Sequence, residues 1–251
     1  MRRGISTALV LVTLLSSAAF GAELILYLPF EEGQGDVAKD ASGRGNDATL
    51  KGNAAWGQGV YGGGIEMVAG SFLTVEHSPD LALTESMTLM GWVRIPADTG
   101  DQQSLIEKGP VWGPGEYNLL PDYNNQVLLQ MNDLPDNCDD EIMGGNVLDG
   151  QWHHVAGVWD GQEIRIYVDG QEVRAGQCEG VLEVNEQPLF IGSRGGSQRW
   201  LVGSIDEIKI YNGPLSEAEI QAAMEEQVQL AVRPQDKATV MWGAIKTAAL
   251  R

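Results

Sequence analysis

Apolar and polar residues alternate with period two through most of this chain. In residues 87–95, Met87, Leu89, Val93 and Ile95 fall on one face and Thr88, Met90, Trp92 and Arg94 on the other. Such alternation belongs to a strand, and large residues on both faces put this one in the middle of a sandwich. Residues 153–159 run into Asp160-Gly161, residues 163–168 run into Asp169-Gly170, and a third run starts at Gln171. Asp-Gly accepts the positive φ of tight hairpin turns, so these three runs are predicted to form an antiparallel meander. Further strands are predicted at 24–30, 64–68, 71–75, 126–131, 189–191 and 203–211. So many short strands separated by turn residues imply an all-β fold: two stacked antiparallel sheets, as a sandwich or jelly roll.

Helical spacing appears only after Tyr211-Asn212-Gly213-Pro214. Ser216 with Glu219 three residues on makes a capping box, and Ile220 and Met224 are spaced to pack one face of a short helix on the sandwich. Beyond Glu226 the pattern changes. Residues 227–251 contain Pro234 and the cations Arg233, Lys237, Lys246 and Arg251, and repeat nothing earlier. They are expected to form a tail, helical or disordered, with a docking or sorting segment as the sharper alternative. At the other end, Arg2 and Arg3 precede the apolar run 5–15, and small residues follow at 16–19 and 21–22. That layout predicts a cleavable signal peptide over residues 1–21 and an extracellular or periplasmic destination, with no membrane span after cleavage. Residues 22–226 then form one domain, a common size for a single β core.

The formal charge of −19 makes nucleic acid and anionic membranes poor partners, because phosphate binding needs clustered cations. An excess of carboxylates suits oxygen-ligated calcium and also plain solubility. The two cysteines, Cys138 and Cys178, are expected to pair as a disulfide in an oxidising compartment. They have no ligand spacing with His77, His153 or His154 that would suit zinc.

Several segments resemble the laminin-G-like, concanavalin-A-like jelly rolls related to pentraxins. They are Phe30-Glu31-Glu32-Gly33 followed by residues 40–46, Trp56-Gly57-Gln58-Gly59 leading to residues 63–67, Trp152-His153-His154-Val155-Ala156 with Asp160-Gly161 and residues 167–170, and residues 203–211 with Leu215-Ser216 and Glu219-Ile220. The resemblance spans residues 23–226. It implies a module that binds glycans or extracellular proteins, often beside calcium.

Within that frame the candidate chemistry is weighed residue by residue. A glycanase of this fold needs two carboxyls facing one bond. Asp206-Glu207 has no acid two residues earlier, and neighbours on a regular strand point to opposite faces. No Gly-x-Ser-x-Gly elbow exists, and His153 and His154 are read as structural, so no catalytic residue is expected. The resemblance implies a structural calcium between Asp206, Asp40 and Asn46, the alternative being hydrogen bonds to loop amides alone. Asp133, Asp136 and Asp139 could hold a rim calcium or form a merely solvated loop. Trp112, Tyr117 and Tyr123, in the Gly/Pro-rich stretch 109–125, are candidate ligand-binding aromatics, whereas Trp56, Trp92, Trp152 and Trp200 are assigned to packing. The expectation is a secreted noncatalytic module binding carbohydrate or glycoconjugate, with calcium. A structural protein of the cell envelope and a glycoside hydrolase are the alternatives.

Overall fold

A computed structural model describes residues 21–225, apart from residues 133 and 135–140, and the side chain of Glu141 is likewise not described. Residues 1–20 and 226–251, which hold the expected signal peptide and tail, lie outside the described residues.

The first strands are β1 (Leu24–Leu28), β2 (Val37–Ala38), β3 (Ala48–Lys51), β4 (Ala55–Gln58), β5 (Gly63–Met67) and β6 (Phe72–Val75). They are followed by β7 (Met87–Arg94), β8 (Ile106–Lys108), β9 (Tyr117–Tyr123), β10 (Gln126–Met131) and β11 (Glu141–Gly144). The last are β12 (Trp152–Trp159), β13 (Glu163–Val168), β14 (Gln171–Gln177), β15 (Leu189–Ile191) and β16 (Gly203–Tyr211), before the helix α1 (Glu217–Glu225). They form two antiparallel sheets. The first runs β14-β13-β12-β7-β16-β5-β4 with β1 also on β16, and the second runs β11-β10-β9-β8-β15-β6-β3-β2. This is the all-β two-sheet sandwich with a short C-terminal helix that the alternation predicts.

The registers explain the alternation. On β7, Leu89 and Val93 pair with Gly157 and His153 of β12, and their side chains enter a core shared with Ile106, Leu119, Leu129 and Ile191 of the second sheet. Full burial of each such side chain contributes about 1.5–3 kcal/mol. The meander forms as expected: Asp169 and Gly170 take φ 51° and 75° between β13 and β14, the pair of left-handed residues a type I′ turn requires.

Helix α1 is only nine residues long, too short to persist without packing. It buries Ile220 and Ala223 against Met90, Ala156, Val158 and Tyr167 on the outward face of the first sheet. Ala223 takes the deeper place expected for Met224, which is half-buried. The capping box is present: Ser216 N donates to Glu219 Oε2 at 2.8 Å and Glu219 N to Ser216 Oγ at 3.4 Å.

The outward face of the second sheet carries Glu107, Asn118, Asp122 and Phe190, all buried although none belongs to the main core cluster between the sheets. Segments 95–105 and 192–202 cross this side and are tied together by Ser104 N to Arg199 O at 3.0 Å and Gly192 N to Leu105 O at 3.0 Å.

Candidate functional site

Those crossing segments wall a groove of about 830 Å³, lined by residues 98–102, 124–125 and 197–200 with Asp122 and Arg194. The volume falls in the range of small-molecule and sugar sites. Its floor is immobilised by protein hydrogen bonds. Gln103 Nε2 donates to Asp122 Oδ2 at 2.9 Å, Asn125 N donates to Asp122 Oδ1 at 3.2 Å, and Val202 N donates to Gln103 Oε1 at 2.8 Å. The β9–β10 turn consists of Asn124 and Asn125 at φ 53° and 64°, which Asn tolerates better than other side chains, and it raises both amides to the rim.

Aromatic rings border the groove. Trp200 is half-buried, 5.9 Å from the Phe72 ring. Trp112 is 42% exposed and lies on the Arg194 guanidinium, 5.7 Å from its carbon to the ring centre. Beneath them sits a charge network. Arg194 Nε contacts Glu107 Oε1, Arg194 Nη2 donates to Glu116 Oε1 at 2.8 Å, and Arg199 Nη1 donates to Glu107 Oε1 at 3.2 Å. Both glutamates are fully buried. Burial first, then a hydrogen bond with Glu107, pushes the Glu116 carboxyl up to about 8 against the opposing pull of Arg194.

The sequence-predicted aromatics divide. Trp112 stands exposed over Arg194, which lines the groove, and Tyr123 is half-buried at the end of β9. Tyr117 is a correction: it is fully buried among core side chains and its hydroxyl donates to Leu81 O at 3.0 Å, because it occupies an inward position of β9. Trp200, assigned to packing, lines the groove as well as touching Phe72. Arg194, Arg199 and Asp122 had no distinguishing sequence signal beyond polar residues interrupting apolar runs.

Asp40, Asn46 and Asp206 are not gathered into one site. Asp40 Oδ1 accepts Tyr27 N and Ser42 N, both at 2.9 Å, and its Oδ2 accepts Ser42 Oγ at 2.7 Å and Asn46 N at 2.9 Å. Four donors use the acceptor capacity of a carboxylate. Asn46 Nδ2 donates to Ile25 O at 2.7 Å and its Oδ1 accepts Ser78 Oγ at 2.7 Å. These groups do not fit a calcium shared with Asp206, and among the described residues no three His, Cys, Asp or Glu cluster to hold a metal.

Asp206 instead latches the β4–β5 connection, accepting Tyr61 N at 3.1 Å while Glu31 accepts Gly63 N at 3.2 Å. The expectation that Asp206 and Glu207 face opposite ways is also corrected. Glu207 sits at φ 54° in a bulge opposite β7, and a bulge breaks strict alternation. Both acids therefore lie on the outward face, where Glu207 Oε2 accepts Tyr27 Oη at 2.6 Å and meets Lys209 at 3.3 Å. Burial raises the Asp206 carboxyl to about 7, outweighing the amide donors of Tyr61 and Glu207, with smaller upward contributions from the Glu207 and Glu31 carboxylates.

His153 has its two ring nitrogens 2.8 Å from Asp169 Oδ2 and 3.1 Å from Asp149 Oδ1, the structural role expected. Asp133, Asp136, Asp139 and Cys138 lie outside the described residues. Cys178 is fully buried, its carbonyl accepting Trp159 Nε1 at 2.9 Å.

Residues 67–221, more than half of the chain, match a family profile described as the concanavalin A-like lectin/glucanases superfamily. No protein with a curated description matches by sequence. Among solved structures, domain 4 of AbnA, an extracellular GH43 arabinanase from Geobacillus stearothermophilus solved with arabinotriose, is 18% identical. The likeness covers 80% of this chain and 98% of that one at a TM-score of 0.63. The receptor-binding domain of botulinum neurotoxin C/D mosaic serotype is 15% identical over 82% of this chain and 52% of that chain, TM-score 0.64. The binding domain of Paraclostridial Mosquitocidal Protein 1 is 16% identical over 80% and 51%, TM-score 0.61. The chain thus spans about half the length of the two toxin domains. At these identities the likeness is one of fold.

Proposed function

Since the chain belongs to the concanavalin A-like lectin/glucanases superfamily, we propose that it is a noncatalytic extracellular module that binds a glycan or glycoconjugate in the groove over the second sheet. The observation that carries this reading is the groove's construction: a polar floor held by Gln103 and Asp122, asparagines at the rim, and the tryptophans 112 and 200 beside it. Sugars present hydroxyls for such a floor and C–H faces for such rings. The arabinanase domain solved with a trisaccharide supports the same reading.

The test is calorimetric titration with arabinotriose and a panel of soluble oligosaccharides. Trp112→Ala is expected to weaken binding by about 1–2 kcal/mol, or 5–30-fold. Its urea unfolding should stay within about 0.5 kcal/mol of the wild type, because the ring is largely exposed. An unchanged affinity would remove Trp112 from the site. Incubation with the same panel should release no reducing ends, and turnover would replace the binding reading with the hydrolase.

Calcium enters this proposal through Asp133, Asp136 and Asp139, as hard oxygen donors. If they hold an ion, chelator weakens glycan binding, whereas identical titrations with and without chelator take calcium out of the reading. A Cys138–Cys178 disulfide belongs to it too, supported by the burial of Cys178 and by the lack of a free cysteine among the described residues. Thiol titration of the denatured, unreduced protein should find none.

A further inference from the structure

The polar lining of the groove separates into groups the protein already engages and groups it leaves over. Asp122 accepts Gln103 Nε2 and Asn125 N, Asp98 Oδ1 accepts Gly100 N at 2.7 Å, and Arg194 and Arg199 are held by Glu107 and Glu116. The groups left over are chiefly side-chain amides. Gln102, Asn124, Asn125 and Gln198 all line the groove, Gln102 half-buried and the other three exposed. Among the described residues none hydrogen-bonds any of these four side chains. They reach the groove from three segments: Gln102 beside Gln103, whose N donates to Asp122 O at 2.9 Å, Gln198 through its backbone hydrogen bonds with Arg194, and the two asparagines on the β9–β10 turn. That turn carries a second signal. Both of its residues are left-handed, at φ 53° and 64°, and the second position of such a two-residue hairpin favours glycine. The β13–β14 turn follows the rule with Gly170 at φ 75°. The β9–β10 turn keeps a side chain there instead, at the place that borders the groove.

We infer that these four carboxamides are the specificity-determining groups of the proposed glycan site, and that they select chains whose units keep hydroxyls free on two adjacent ring carbons. Pyranoses linked 1,4 and furanoses linked 1,5 keep such a pair, whereas pyranoses linked 1,3 do not. The inference rests on the glycan reading above and adds the linkage class of the ligand. A primary carboxamide holds an acceptor oxygen beside N–H donors on one rigid plane, and each sugar hydroxyl both donates and accepts. One amide therefore meets an adjacent pair with two hydrogen bonds, its oxygen accepting from one hydroxyl and its N–H donating to the other. An isolated hydroxyl forms only one of them. Trp200, half-buried in the same lining, supplies a ring for the C–H face of the unit so held.

The experiment titrates the protein with 1,5-linked arabino-, 1,4-linked xylo- and 1,4-linked cello-oligosaccharides, and with a long linear 1,3-β-glucan whose internal units lack adjacent hydroxyls. The best of the first three should bind at least ~10-fold tighter than the 1,3-glucan. Asn125→Gly installs the residue the turn favours, so it should melt no lower than the wild type. Its affinity for the best ligand should fall at least ~10-fold. Gln198→Ala, at an exposed position outside the turn, should melt like the wild type and bind about 5-fold more weakly. If Asn125→Gly melts markedly lower, its side chain serves the turn, and the inference is overturned. Unchanged affinity in either variant, or a 1,3-glucan bound as tightly as the others, also overturns it while leaving the glycan reading intact. Absence of binding to every glycan in the panel removes both.

Discussion

Arg194→Ala is expected to destabilise the domain by about 3–5 kcal/mol, because it removes the shared partner of two buried carboxyls. Glu107 and Glu116 have no exposed side-chain surface, and the Arg194 side chain is only 11% exposed. Arg199 reaches Glu107, so the loss falls hardest on Glu116, whose remaining side-chain contact is Gly113 N at 3.1 Å. The penalty comes from leaving Glu107 with one cation and the buried Glu116 carboxyl without its guanidinium donor, rather than from the worth of the pair. Arg194→Ala made together with Glu107→Gln and Glu116→Gln should therefore cost less than Arg194→Ala alone. Urea denaturation of the four proteins measures this. A single-variant loss below about 1 kcal/mol would mean that water reaches the network and that the groove has no dry floor.

The second large effect is a melting temperature that falls as pH rises from 6.5 to 8. Asp206 is raised to about 7 by burial and neighbouring acids, and Glu116 to about 8 by burial and its contact with Glu107. An acid whose folded pKa exceeds its unfolded value stabilises fully below the unfolded value and loses that contribution as pH climbs through the folded one. His153 adds to the trend: its pKa is raised by hydrogen bonds to Asp169 and Asp149, which outweigh its partial burial. His154 works oppositely. Burial, aided by Lys209, lowers it to about 3, so its contribution is present above pH 6.5 and lost as pH falls, offsetting the acids on that side. Lys108, lowered to about 8 by burial, reverses the slope only at higher pH.

Over the window the loss should be about 2 kcal/mol, or about 5 °C for a domain of this size. Asp206→Asn and Glu116→Gln should each flatten the slope. A melting temperature constant or rising between pH 6.5 and 8 would show both carboxyls to be ionised and well solvated.

The fold was legible because the alternation is local physics. Leu89 and Val93 had to face a core, Asp169-Gly170 had to turn, and Ser216 had to cap. The groove was not legible, because it depends on which loops cross the outward face. Nothing near Arg194 in sequence announces that it meets Glu107 and Glu116, many residues distant. Tyr117 was misassigned because its stretch reads as loop from its glycines and prolines, while the tyrosine itself opens strand β9. The Asp206-Glu207 argument failed at the bulge, since a positive φ at a glutamate leaves no mark in the residue order. Asp40 was found as an important acid, but its four donors are backbone and hydroxyl groups whose convergence only the folded loop creates.

The most direct measurement is a two-dimensional NMR titration of the full chain with arabinotriose, or with whichever neutral oligosaccharide binds best, following the indole resonances of its seven tryptophans. The account predicts saturable shifts at Trp112 and Trp200 and at the amides of 122–125 and 198–202, with the Asp206 side of the first sheet unmoved. Shifts that gather around Asp206 and Trp92 instead, leaving Trp112 and Trp200 still, would contradict it.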